Sequence, residues 1–302
     1  MVSRFSLLTL VLTAIISSPA AASAGAEEPQ LPWTAAKPVS VITLIQPGSP
    51  ADLELRGIAL RLEDRLNQRF YLDYYPASQS DYDVEAVRTA YPDGYTIGAG
   101  QTEWAGTENY QDWSLYVYAA DPAVVALTPD SGLESFDELV DALAAETDAP
   151  AVSIQREYLE AYDPLGQIAG HYEIILAYEA FDTYDEVIGS EGAALVAPLS
   201  VIQAAVAEGR ISPVAVLFDR DIEMQNHGQV TSIVQWVEDH QPVAVYHGIW
   251  VLPDVPAEVR STYEMIWDSV TANRTGTVLV PVAFFGESTK FLFAPEIEED
   301  EG

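Results

Sequence analysis

The block Tyr91-Pro92-Asp93-Gly94-Tyr95-Thr96 constrains this chain more than any other segment. Proline presets the backbone for a turn, aspartate bonds the chain two residues on, and glycine accepts a positive φ at no steric cost. An aromatic and β-branched run follows at once, so the backbone reverses and enters a strand at a defined point. Upstream, another strand over Val39–Ile45 runs into Gly48-Ser49-Pro50-Ala51-Asp52 and then an amphipathic segment. Strand, turn and helix in alternation point to an α/β layer with a largely parallel sheet.

The alternation extends from Val39 to about Leu143. The clearest helix covers Pro50 to about Gln68, with Leu55, Ala59, Leu62 and Leu66 on one face and Arg61, Arg65 and Arg69 in a second row. Ser49 and Asp52 form a capping start, with Pro50 at the first helical position. Strands are expected at Phe70–Tyr75, Tyr95–Ala99, Leu115–Ala119 and Val124–Leu127, and a capped helix from Ser135 with Glu138 three residues on. A second alternating stretch begins near Ala151 and includes Ile174–Ala177, Ala193–Ala197 and Val214–Phe218. An extended run over Val243–Leu252 precedes a last helix from Pro256 to about Val270. Two α/β lobes joined by more than one strand crossing, near Leu127 and His247, are the simplest assembly of these pieces.

Residues 1–24 read as an export signal: Arg4, an apolar stretch over Leu7–Ile16, and Ala22-Ser23-Ala24 as a small-residue cleavage site. The apolar stretch is too short to span a bilayer, which places the mature chain in the periplasm or outside the cell. With no cysteine, neither disulfides nor a lipid anchor at the cleavage site is available. The charge of −34, from 47 acidic against 13 basic residues, disfavours nucleic acid, because no basic stripe exists to meet phosphates. Half the chain is hydrophobic, which argues against disorder. An acidic, halophilic surface fits best, since a Debye length of about 3 Å at 1 M salt screens its self-repulsion.

Ligands of open α/β sheets bind outside the carboxyl ends of the strands. Gly48-Ser49-Pro50-Ala51 is such a loop, and the first helical turn behind it favours an anion; equally, Gly48 permits a turn and Ser49 caps the helix. In this order, the segment Pro47 to Asp52 with Arg56, Pro76, the Pro92–Thr96 block, Ala177-Tyr178, Pro198-Leu199-Ser200, Gly209-Arg210-Ile211 and Gly248–Pro253 ahead of Val255-Pro256 resemble the solute receptors of tripartite tricarboxylate transporters, the Bug family.

The resemblance covers nearly the whole mature chain. It implies a two-lobed, periplasmic-binding-protein-like fold of type II, with lobe 1 over 25–127 plus 248–302 and lobe 2 over 128–247. It also implies a monomeric receptor rather than an enzyme, with no cofactor and no metal. Such a receptor closes on a small organic acid, its carboxylate the recognised group, and hands it to the membrane subunits of a tripartite carrier. The implied ligand contacts are Gly48, Ser49 and Asp52 in the first loop and Ser78, Gln79 and Ser80 after the second strand. Thr102, the group Ser153, Gln155 and Arg156, and then Tyr178 and Ser200 complete the set.

Several of these positions depart from the family pattern. Ser49 replaces a second glycine, Ala77-Ser78-Gln79-Ser80 a glycine-rich loop, and Ser153-Ile154-Gln155-Arg156 a glycine-serine stretch. Side chains therefore stand where backbone lines the family's cleft. Arg156 suits a two-bond clamp on a carboxylate, or a salt bridge to Glu157 or Glu160. Trp104, Tyr178 and Trp250 suit a cleft wall or a core. An exported hydrolase is the competing class, but there is no Gly-x-Ser-x-Gly elbow, and His171, His227, His240 and His247 lack metal-site spacing. A receptor fold retained as a sensor or scaffold partner is the third.

Overall fold

The computed structural model describes residues 30–43, 45–75, 82–102, 112–145, 149–155, 164–174, 178–181, 192–224, 226–272 and 280–281. The export signal therefore lies outside the described residues. The chain divides by compactness after Leu31, and the fold below is that of the part from Pro32 onward.

Strand β1 (Val39–Thr43) is followed by helix α1 (Pro50–Leu66). Ser49 is extended and its hydroxyl accepts the Asp52 amide at 3.3 Å, as the capping pattern requires. Leu55, Ile58, Ala59, Leu62 and Leu66 are buried along one face, each large side chain contributing about 1.5–3 kcal/mol of burial. The helix ends at Leu66 rather than Gln68 because Asn67 turns left-handed (φ 49°) and its amide returns to the Glu63 carbonyl.

Next come β2 (Phe70–Tyr74), α2 (Tyr82–Arg88), β3 (Thr96–Gln101) and β4 (Ser114–Leu127). The two strands expected at Leu115–Ala119 and Val124–Leu127 are thus one strand of 14 residues. Asp121-Pro122 reads as a break, yet Pro122 sits where β4 changes partners, a position that tolerates a missing N–H. The chain continues with α3 (Phe136–Leu143), capped by Ser135, and β5 (Val152–Gln155). After α4 (Gly166–Tyr172) and β6 (Tyr178–Phe181) come β7 (Ala194–Pro198) and α5 (Leu199–Ala207). A strand is described at Tyr178–Phe181; of the strand expected at Ile174–Ala177, Ile174 is outside any strand and 175–177 lie outside the described residues. The remaining elements are β8 (Ser212–Val216), the small hairpin of β9 (Ile222–Met224) and β10 (Gly228–Val230), β11 (Ala244–Val251), α6 (Ala257–Thr271) and β12 (Val280–Pro281).

The main sheet runs β2-β1-β3-β11-β4-β7-β5-β6, with β8 and β12 also paired to β4. Strands β1, β2 and β3 are parallel, as are β5, β6 and β7. The sheet as a whole is mixed rather than largely parallel, because β11 inserts antiparallel between β3 and β4, and β7 and β8 pair antiparallel with β4. Residues Ser114–Pro122 of β4 pair with β11, and Ala123–Leu127 pair with β7 and β8. At the changeover the Ala123 amide bonds to the Val243 carbonyl, Val243 to Leu217, and Leu217 back to Ala123, all at 2.8 Å. Backbone groups leaving one ladder are thereby taken up by the next.

The second half of the sheet is covered on both faces. Leu199, Ile202 and Val206 of α5 pack on one side with Val124, Leu195 and Val216. Phe136, Leu139 and Leu143 of α3 and Ile168 of α4 pack on the other with Val125, Ile154 and Val196. In the first half the Trp267 indole donates to the Val117 carbonyl at 3.1 Å and stacks near Tyr116. Trp250 is core: its ring lies so close over β3 that a Cβ on Gly98 would meet Trp250 Cε3 at 2.2 Å.

Gly98→Ala is therefore expected to destabilise the protein by about 1–3 kcal/mol through overpacking. Gly57→Ala, on α1 with open space around the added methyl, is expected to stabilise it by about 0.5–1 kcal/mol. Denaturant unfolding in molar salt reads both signs; a Gly98→Ala protein as stable as the parent would contradict the packing described.

Candidate ligand-binding site at the carboxyl ends of the strands

The first loop is built around one buried carboxylate. Asp52 is fully buried; its Oδ2 accepts the Gly48 amide at 2.7 Å and Arg56 Nε at 2.9 Å, and its Oδ1 accepts the Tyr74 hydroxyl at 2.5 Å. Burial by itself would push this carboxyl up, but the bonds from Gly48, Tyr74 and Arg56 outweigh it and hold the group below its ordinary value. Burial, followed by the bond to Asp52, pushes the Tyr74 phenol up to about 12. Gly48 adopts φ +84°, which only glycine takes without strain, so its amide can aim at the carboxylate. The loop is thus braced by the chain's own anion, and Ser49 serves as the cap.

Thr102, just past β3, is fully buried, and both its amide and its hydroxyl bond the Tyr246 carbonyl, at 3.1 and 3.2 Å. It ties the end of β3 to the crossing strand. Next to it, β4 carries a bulge: His247 pairs with Ala119 and Gly248 with Val117, which leaves Tyr118 as the extra residue. Tyr118 lies beside His247, with ring centroids 6.5 Å apart. Burial pushes the His247 imidazole down to about 4, so it is neutral at neutral pH.

In the second half, Ser153 is buried within β5 and Gln155 closes that strand, its Oε1 buried without a hydrogen-bond partner among the described residues. Ser200, in the first turn of α5, donates its amide at 2.9 Å and its hydroxyl to the Asp121 carboxylate on β4. Burial pushes Asp121 up to about 6, with the two Ser200 bonds opposing. Sequence reasoning missed Asp121. Its signal was a lone charge inside an otherwise apolar run from Leu115 to Leu127, since a buried carboxylate needs dedicated donors.

The carboxyl ends of β1, β2 and β3 thus gather Gly48, Ser49, Asp52 and Thr102, while those of β5 and β7 carry Gln155 and Ser200. Tyr178 does not join them. It lies in β6, pairs with Val152 at the first residue of β5 and so at the opposite end of the sheet, and is half exposed. Ser78, Gln79, Ser80, Trp104 and Arg156 lie outside the described residues. The Pro-Asp-Gly-Tyr-Thr block is structural. Asp93 accepts the Tyr95 amide at 3.0 Å and pairs with Lys37, while Gly94 (φ +82°) leaves only 2.7 Å between a would-be Cβ and Val259. Among the described residues no group of three or more His, Asp or Glu side chains could hold a metal ion, and no helix is long and apolar enough to cross a membrane.

No family model matches the sequence, and no curated protein sequence matches it. Solved structures do resemble it. A TctC solute binding protein from Polaromonas superposes with a TM-score of 0.69 at 14% identity, covering 85% of this chain and 94% of that one. Rpa4515 of R. palustris, solved with adipate, gives 0.61 at 14% identity over 85% and 92% of the two chains. The periplasmic binding protein BugD gives 0.55 at 14% identity over 82% and 89%. The chain therefore has the two-lobed type II fold of periplasmic solute-binding proteins of the tripartite tricarboxylate kind.

The Asp121 environment generates a pH prediction. A carboxyl raised to about 6 when folded, against about 3.9 unfolded, binds its proton more tightly in the native state. Stability contributed by that proton is present below about pH 4 and is lost as pH rises through 6. Relative to Asp121→Asn, the parent should lose about 2 kcal/mol between pH 4 and pH 7. Denaturant unfolding across this window, with identical slopes for both proteins, would contradict it.

Proposed function

We propose that this chain is an extracytoplasmic solute receptor that closes two lobes on a small organic carboxylate and delivers it to the membrane subunits of a tripartite carrier. The observation that carries the reading is the fold likeness to a TctC solute binding protein over 85% of the chain. The Rpa4515 structure, solved with adipate, supports a carboxylate as the recognised group. The lobes are 25–127 with 248–302, and 128–247, linked through β4 and β11. Closure pivots on these two strands, as in other two-domain binding proteins. The role is binding rather than catalysis, performed by a monomer without a cofactor, exported by residues 1–24. The acidic surface suits concentrated salt.

The arrangement suits this role. Neutral donors and one braced cation at strand ends satisfy an anion that would be costly to bury unpaired. Thermal unfolding in molar salt against a panel of dicarboxylates, amino acids and sugars tests it. Adipate or another dicarboxylate at about 100 times its Kd should stabilise the protein by about 2.7 kcal/mol, raising the midpoint. A midpoint moved by a sugar and by no carboxylate would contradict the reading.

A further inference from the structure

We infer that Arg56 is the cationic anchor for the solute's carboxylate, presented at the open end of the first lobe by Asp52 and Tyr74. The assignment rests on the receptor reading above and names the residue that reads the acid.

Three observations support it. First, Arg56 is held in place: Nε donates to Asp52 Oδ2 at 2.9 Å, and the guanidinium lies 5.5 Å from the centre of the Tyr74 ring. Asp52 is in turn fixed by Gly48 and Tyr74, so its orientation does not depend on Arg56 alone. A guanidinium has five donors in a rigid fork, and one edge is used here. Half the side chain remains exposed, so the rest of the fork is open to an incoming anion with little further loss of rotamer freedom.

Second, its place is distinctive. Asp52 and Tyr74 belong to the loop after β1 and to the last residue of β2, the carboxyl ends where ligands of such sheets bind. Three other basic side chains described in this lobe, Lys37, Arg69 and Arg88, sit at the opposite end. Lys37 precedes β1 and pairs with Asp93 at 3.1 Å, Arg69 precedes β2 and pairs with Glu63 at 3.0 Å, and Arg88 closes α2 and pairs with Glu85 at 2.7 Å.

Third, the chain needs a local cation. With a net charge of −34, the protein's field repels anions, and a fixed positive group within contact distance offsets that repulsion where a screened distant charge does not. In Asp52 the internal counter-ion already has three donors, so it orients the arginine without absorbing its whole hydrogen-bonding capacity. The pair resembles a bracket and its hook.

The test is calorimetric titration of adipate, in molar salt, into the full mature chain and three variants: Arg56→Gln, Arg56→Lys and Arg88→Gln. Arg56→Gln should weaken adipate about 10-fold to 100-fold. Arg56→Lys, which keeps the charge but loses the fork, should fall in between, and Arg88→Gln should match the parent. Should Arg56→Gln fail to fold, Arg56→Lys decides, and unchanged affinity there overturns the assignment. Unchanged affinity in a folded Arg56→Gln protein, with the parent binding, overturns the anchor and leaves the receptor reading intact. A parent that binds no dicarboxylate up to about 10 mM, a free energy of only about −3 kcal/mol, overturns both.

Discussion

Everything in this fold depends on the unbroken burial of strand β4. Twelve of its 14 residues are buried, first beneath the aromatic layer of Tyr116 and Trp267 and then between the helices of the second half. A single extended segment therefore belongs to two cores, and neither half can place its strand ends without it. The three-way exchange of backbone bonds among Ala123, Leu217 and Val243 makes the passage possible without leaving a buried amide unpaired. Asp121 sits one residue before Pro122 at this passage and reaches Ser200, so the first turn of α5 is tied to the strand that both halves share.

That geometry sets where the buried polar groups at the strand ends lie. Strand ends of both halves lie near the passage, and Asp52, Thr102 and Asp121 there are braced, whereas Gln155 Oε1 has no hydrogen-bond partner among the described residues. Asp52 collects three donors, Thr102 gives two hydrogen bonds to the crossing strand, and Asp121 accepts two from Ser200. Preorganised donors lose little entropy on binding, which is what the proposed receptor role would use. A bulge at Tyr118 adds a local twist beside His247 at the same level of the sheet.

Much of the architecture was legible in the sequence because local signals agreed with the global fold. The Ser49-Pro50 start of α1, its apolar face and the Ser135 cap of α3 are written in residues whose effects act within one turn. What failed were features set by distant partners. Asp121-Pro122 looked like a break because the partner change that accommodates it comes from β7, β8 and β11. Tyr178 pairs with Val152 at the start of β5, a register no local pattern gives, and this removes it from the strand-end group. At the candidate site, Gly48 and Ser49 were singled out from loop position, and Asp52 and Ser200 from the family resemblance. Their roles as brace, cap and tie depend on Tyr74 and Asp121, which no local pattern pointed to. Arg56 stood in plain sight as part of a motif; its presentation by Tyr74 is a tertiary fact.

The central claim is that two lobes, hinged on β4 and β11, close over a carboxylate. The chain has no cysteine, so two introduced thiols can be labelled specifically. Spin labels at Asp64→Cys on α1 and Asp141→Cys on α3, both exposed positions, report the separation of the lobes. Pulsed electron resonance with saturating adipate should show the distance distribution shorten and narrow relative to the free protein. An unchanged distribution in a sample that calorimetry shows to be adipate-bound would contradict the account.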